Sequence, residues 1–293
     1  MLIRIFVLIC LLLPGLFLLA FDKAHYTVTD FFQASVDWSD MKVSASVEEK
    51  LPRVVINTRD RDFGKEEVAF NISEARTKSL NKARENVKIK LYRLIENLQL
   101  DDKYSILDKL HADEKFRINF NQIHTQDVGF YSVSYKNNYA TVDSYIPILG
   151  KRGIMNFVAL EMGTEDFPVF QEAKYPVKYT GLIVDARHLK GAKPSLFPRI
   201  KTDDGLDIYS QYLVNRDYAI EQGLALFQID PMHAMEDKRV GNKPYFVVAN
   251  SVSGEVKTNF SIATVDAVKL LSHPETRKNL KMCKVIILLP GRL

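Results

Sequence analysis

The chain has 293 residues and a formal charge of +4, with 40 Lys and Arg set against 36 Asp and Glu. So small a surplus, with acids and bases interspersed, gives no electrostatic case for nucleic acid as a partner. Two cysteines exclude a disulfide-dense scaffold and a cysteine-based metal cluster.

The N-terminus reads as an export signal. Arg4 precedes an apolar run from Ile5 to Leu13, then Pro14-Gly15 and the stretch Leu16–Ala20, a short basic region followed by a hydrophobic one. Ala20 is the expected last residue of a 1–20 signal, with Ala24 as the alternative. The rival is a retained anchor, although the Pro-Gly break leaves the run shorter than the ~20 residues of a spanning helix. Removal of the signal takes Arg4 and Cys10 with it. Cys283 then remains, beside the apolar Val285–Leu289 run, and is expected to be a small buried hydrophobe.

Roughly 270 residues after the signal suit two modest domains. Phe31–Trp38 and Met41–Val47 alternate around Ser39-Asp40, as in a hairpin, and polar Leu51–Gly64 reads as a loop. A long helix begins at Asn71, with Glu74 completing a capping-box pattern. Leu80, Ala83, Val87, Leu91, Leu94 and Leu98 form its apolar stripe, and Lys82, Arg84, Glu85, Lys88 and Arg93 its opposite face. A second helix is expected over Ser105–His124. Val128–Tyr135 and Tyr139–Ile148 flank Lys136-Asn137-Asn138, a tight hairpin because asparagine tolerates positive φ.

Glu161–Lys178, with Gly163, Pro168 and Pro176, is the expected boundary between a 25–160 domain and a 179–293 domain. Beyond it, strands are expected at Leu182–Ala186, Pro198–Thr202, Tyr245–Val256, Thr258–Ala263 and Val285–Leu289. A helix around Val265–Ser272, capped by Thr264, stops before Pro274. The fold class is α+β: antiparallel sheets packed with helices, in two domains after a signal peptide.

Site motifs are sparse. Gly150-Lys151-Arg152 lacks the spacing of a phosphate loop, and no G-x-G-x-x-G occurs. The six histidines have no metal-ligand spacing, and Ser195 does not sit in a nucleophile elbow. Asp203-Asp204-Gly205-Leu206-Asp207 reads as a hairpin turn rather than a calcium loop. No catalytic residue, cofactor or metal is therefore expected. Asp185 and Arg187 end an apolar strand two residues apart, the spacing of one strand face, and Arg199 can supply a balancing charge. They form either a charged platform for a partner or a local ion pair. Tyr131, Tyr135, Tyr139 and Tyr145 crowd the Asn137 hairpin, where outward tyrosines suit protein contact and cross-strand pairing accounts for the same residues.

The segment Thr180-Gly181-Leu182, Asp185-Ala186, Leu189, Lys193-Pro194 and Pro198-Arg199 resembles the bacterial envelope family that groups Lpp-type outer-membrane lipoproteins with FlgT-like flagellar proteins. Arg76–Leu98 and Arg239–Pro244 echo it more weakly, and His188 stands where the family usually has glycine. The resemblance implies export to the periplasm or the outer-membrane periphery. It also implies a non-catalytic structural or assembly role through envelope or flagellar proteins, with self-association left open. The interaction candidates are Asp185, Arg187, Arg199, Tyr135 and Tyr139. Two other readings stand beside it: a periplasmic ligand-binding module with a cleft near Asp185, Arg187 and Arg199, and an exported hydrolase.

Overall fold

The computed structural model describes residues 27–30, 34–125, 130–170 and 176–291; the expected signal lies outside them. β1 (Thr27–Asp30), β2 (Ala34–Asp37) and β3 (Lys42–Lys50) form an antiparallel meander. The β2–β3 turn is the one expected, with Met41 at φ 51°. β4 (Arg53–Val54), inside the expected loop, and β5 (Val68–Ala69), beyond its end, add a two-stranded parallel patch.

α1 (Ile72–Glu96) starts where expected. The Asn71 side chain accepts the Glu74 N–H, but Glu74 reaches back to the Phe70 N–H rather than to Asn71. Its buried residues are Ala75, Ser79, Ala83, Val87, Leu91 and Ile95. A strict four-residue step gains ~40° on the 3.6-residue turn, so this stripe winds around the helix instead of running straight. α1 therefore crosses the sheet obliquely, and its small N-terminal residues allow close approach there.

The expected Ser105–His124 helix is three: α2 (Ile106–Ala112), α3 (Glu114–Phe120) and α4 (Gln122–Thr125). Asp113 breaks it. Its backbone is extended, and its carboxylate accepts the Phe116 N–H, so it ends one helix and caps the next. β6 (Phe130–Lys136) and β7 (Tyr139–Pro147) make the second hairpin, and Asn137 and Asn138 adopt φ 51° and 64°, as a type I′ turn needs. The first sheet has the order β1-β2-β3-β7-β6, antiparallel throughout. α5 (Met155–Val158) leads toward the second half.

That half contains β8 (Leu182–Asp185), β9 (Arg199–Thr202), β10 (Asp207–Tyr209), α6 (Arg216–Gln222), β11 (Leu226–Gln228), α7 (Pro231–Glu236), β12 (Tyr245–Val248), β13 (Ser251–Ser253), β14 (Asn259–Ile262), α8 (Thr264–Leu271), α9 (Pro274–Lys281) and β15 (Val285–Leu288). The chain is thus α+β, mixed in helix and strand. Its second half adds a feature that alternation does not reveal: the sheet β11-β15-β8-β12 is parallel throughout. β8 and β15 are buried at every position. Leu182 and Val184 face the main core, while Ile183, Ile286 and Leu288 pack with Ala234 and Val240 on the other side. Burial on both faces is why the two strands read as unbroken apolar runs.

A second sheet, β10-β9-β14-β13, is mixed. The single strand expected over Tyr245–Val256 is divided between the two sheets. The crossing is fixed at Ala249, whose N–H donates to Asp185 O at 2.9 Å, and at Asn250, whose N–H donates to Ser261 O at 2.7 Å. Thr264 is the first residue of α8 rather than its cap. α8 stops before Pro274, as expected, and Pro274 then opens α9, capped by His273.

The two halves share one core. Buried residues from α1, β3, β7, β8, β14 and β15 belong to a single contiguous cluster. Trp38 stands edge-on to Phe227 with centroids 5.6 Å apart, and Ser39 Oγ donates to Phe227 O at 2.8 Å. Backbone bonds cross as well: Gly150 N to Ile220 O at 2.7 Å, Leu196 N to Gln99 O at 2.9 Å and Phe197 N to Leu100 O at 2.7 Å. Truncating Trp38 to alanine should cost about 3–5 kcal/mol and lower the melting of both halves in one transition. Scanning calorimetry checks this; a second transition that stays at the wild-type temperature would contradict it.

Candidate functional site

The strand-to-turn junction after β8 resolves into a local pair. The Asp185 carboxylate takes the Arg187 backbone N–H at 3.1 Å and Nε at 2.9 Å on Oδ1, and Nη2 at 2.7 Å on Oδ2. Arg187 does not extend β8; the chain turns at Ala186, where Leu189 N bonds back to Ala186 O. Asp185 is buried and Arg187 is half exposed. The arginine holds the Asp185 carboxyl below the usual carboxylate range, and the carboxylate raises the arginine in turn. Both Asp185 oxygens are therefore spent on fixing the turn.

Arg199 does not join them. Its Nη1 lies 3.5 Å from Asp207, which Lys201 also approaches at 3.6 Å, and its guanidinium sits 5.6 Å from the Tyr212 ring centroid. Arg199, Lys201 and Tyr212 line a groove of about 410 Å³ at the seam of the two halves, where the Asp101–Tyr104 loop faces β9 and β14. A wider groove of about 910 Å³ shares Tyr104, Lys109, Asp113, Lys115 and Leu160 with it. Asp185 and Arg187 line neither. Asn259, on β14, is buried in the wall of the smaller groove, and its Oδ1 has no donor among the described residues.

The hairpin tyrosines divide between faces. Pairing sets Tyr131 opposite Ser144, Val133 opposite Val142 and Tyr135 opposite Ala140, all on the side that α1 covers. Tyr139 and Tyr145 alternate with buried Ala140 and Ile146, and so stand on the outer face with Asp143. Arg76 lies over the Tyr135 ring at 5.2 Å and Lys88 over Tyr131 at 6.0 Å. Tyr135 and Tyr139 are each 40% exposed and Tyr145 42%.

Another charged group was hidden by its distance in sequence. Arg239 inserts its guanidinium at the end of α6 and donates to the carbonyls of Gln222 and Gly223. A cation at a helix C-terminus satisfies carbonyls that no helical N–H can reach. Arg239 keeps some exposed area, yet its Nε is enclosed without a partner among the described residues. Beside it lie buried Tyr209, whose hydroxyl donates to Leu224 O at 2.6 Å, and Cys283. Burial pushes the Cys283 thiol up to about 11, which makes it an inert core residue. Among the described residues, no three His, Cys, Asp or Glu side chains gather as a metal site requires.

Residues 181–291 match the family described as Treponema pallidum Tp0624, second domain. The match runs from Gly181, just before β8, to Gly291, after β15, and so takes in both second-half sheets and the Asp185–Arg187 junction. Among curated proteins, no sequence matches the chain.

The junction makes a pH-resolved prediction. A depressed carboxyl stabilises the fold above its unfolded value of about 4 and loses that contribution as pH falls through its folded value. Asp185→Asn should lower stability by about 1 kcal/mol at pH 7, a modest figure because the arginine end is solvated. The gap to wild type should narrow below about pH 4. Urea unfolding at stepped pH checks this, and a gap of constant size down to pH 3 would contradict it.

Proposed function

We propose that the chain is an exported, non-catalytic envelope protein that works by holding protein partners, with the β6–β7 hairpin as its contact surface. The observation that carries this reading is the placement of Tyr135 and Tyr139. They flank a two-residue type I′ turn whose strands are anchored by β3 along the whole length of β7. A half-exposed tyrosine on an anchored hairpin offers large contact area with little rotamer entropy to lose. The charged candidates favour the same reading, since Asp185, Arg187 and Arg199 are engaged in structural pairs.

Export rests on the apolar N-terminal run, and among the described residues no helix is long and apolar enough to cross a membrane. The resemblance of Thr180–Arg199 to envelope and flagellar proteins supports an assembly role, and the flagellum is its most specific form. A second reading, a ligand-binding module, is favoured by the seam groove, where Asn259 Oδ1 offers an unfilled acceptor in the wall. In that version Arg199 belongs to the site, and Asp185 and Arg187 do not.

A photo-crosslinking residue at Tyr139 in intact cells should give adducts with one or a few envelope proteins, and the chain should co-fractionate with a large envelope assembly. The same residue at Glu236, on the far half, should give fewer. Recovery only as a free monomer without adducts would overturn the assembly role, and an intact Met1 on the isolated protein would overturn cleavage of the signal.

A further inference from the structure

We infer that the outer edge of β6 accepts an extended acidic segment of a partner protein as a sixth strand of the first sheet; the inference rests on the hairpin being the contact surface. β6 closes the sheet order, and among the described residues no strand pairs with its far side. By the alternation of the hairpin, the backbone groups of Val133 and Tyr135 point to that side, and among the described residues no strand pairs with them there, which leaves a template for strand addition.

What lies above that edge gives the occupant its chemistry. α1 packs over β3 and β7, so the helix-facing side of β6 is only partly covered: Val133 is 38% exposed. The flank of α1 that overhangs this gap is set by the winding of its buried stripe. Residues one position after the first four buried ones, Arg76, Leu80, Arg84 and Lys88, recur at four-residue steps along that flank; Tyr92 and Glu96 continue the row beyond the stretch that overlies Tyr131 to Tyr135. Contacts at both ends fix the direction, with Arg76 over Tyr135 and Lys88 over Tyr131.

The overhang thus carries three cations and one apolar residue, and no acid interrupts it. Glu74 lies on the other flank, paired with Lys78, and Glu85 faces away from the sheet by helical geometry. Arg76, Arg84 and Lys88 make no ion pair among the described residues, whereas Lys78 and Lys82 on the other flank pair with Glu74 and Glu49.

A strand added beside β6 would lie about 4.8 Å away, within reach of these side chains. From Arg76 to Lys88 the helix rises about 18 Å, the length of five or six extended residues. A segment in which acids alternate with β-branched residues would place one set of side chains beneath the cations and the other toward solvent. Tyr131, Val133 and Tyr135 would border the first set. Backbone bonds supply the pairing and the cations select the sign.

The probe is a labelled hexapeptide of alternating Glu and Val, blocked at both ends and titrated into the full chain at low salt, with amide exchange followed across residues 131–136. Binding should protect β6 amides, weaken with ionic strength, and fall about tenfold or more in the Arg84→Glu/Lys88→Glu double variant. The peptide N-methylated at every residue should bind no better than background, because neither of its edges can donate to the ladder. Equal binding of the N-methylated peptide, or of one with Lys in place of Glu, would overturn the inference. So would the absence of β6 protection, or charge-dependent binding confined to phosphatidylglycerol vesicles. Adducts at position 139 that persist unchanged in the double variant would overturn strand addition while leaving the hairpin contact surface standing.

Discussion

Trp38, in the turn after β2, stands edge-on against Phe227 of β11, and the neighbouring Ser39 hydroxyl closes onto the Phe227 carbonyl. Residues nearly two hundred positions apart are thereby locked together inside one apolar core. The lock is repeated by backbone bonds between the Gln99–Leu100 segment and Leu196–Phe197, and between Gly150 and Ile220. Buried backbone groups must be paired, so these bonds cannot be given up without exposing the core they border. Everything else depends on that constraint. It fixes the parallel sheet against the antiparallel one, and it brings the Asp101–Tyr104 loop up to β9 and β14 to make the seam groove.

The same constraint sorts the polar groups. Asp185 fixes the turn that follows β8, and Arg239 closes the end of α6. Gly223, at that helix end, takes φ 70°, and a Cβ there would press on Met41 and Leu149 of the first half. Charges that looked free in the sequence are thus part of the scaffold. What remains presented is peripheral: the tyrosines around the Asn137 turn, the outer edge of β6 under the basic flank of α1, and the groove wall holding Asn259.

Much of this was legible in the chain. The α1 start at Asn71, the Asn137-Asn138 turn and the apolar β8 and β15 runs carry strong local signals, and each forms where expected. The losses have physical causes. A single aspartate, Asp113, caps a new helix where periodicity alone continues the old one. The helix before Pro274 stops there as expected, but the further helix that Pro274 opens went unread, because its cap is the preceding His273, which accepts the Glu275 N–H. The parallel pairing of β8 with β12 and β15 joins segments 60 and more positions apart, and no local pattern encodes a partner at that distance. Arg84 and Lys88 are exposed, as expected, but the reach of Lys88 over the Tyr131 ring depends on tertiary packing that no local pattern encodes. Asn259 lies in an alternating strand, and only the tertiary structure shows its acceptor to be enclosed.

The claim that both halves form one locked body is tested most directly by hydrogen exchange at the amides that cross the seam. The N–H groups of Gly150, Leu196 and Phe197 should exchange only through global unfolding, as slowly as those of Val43 and Val142 in the middle of the first sheet. Exchange at the seam faster by orders of magnitude, with the sheet amides still protected, would mean that the halves separate in the native state and would contradict the account.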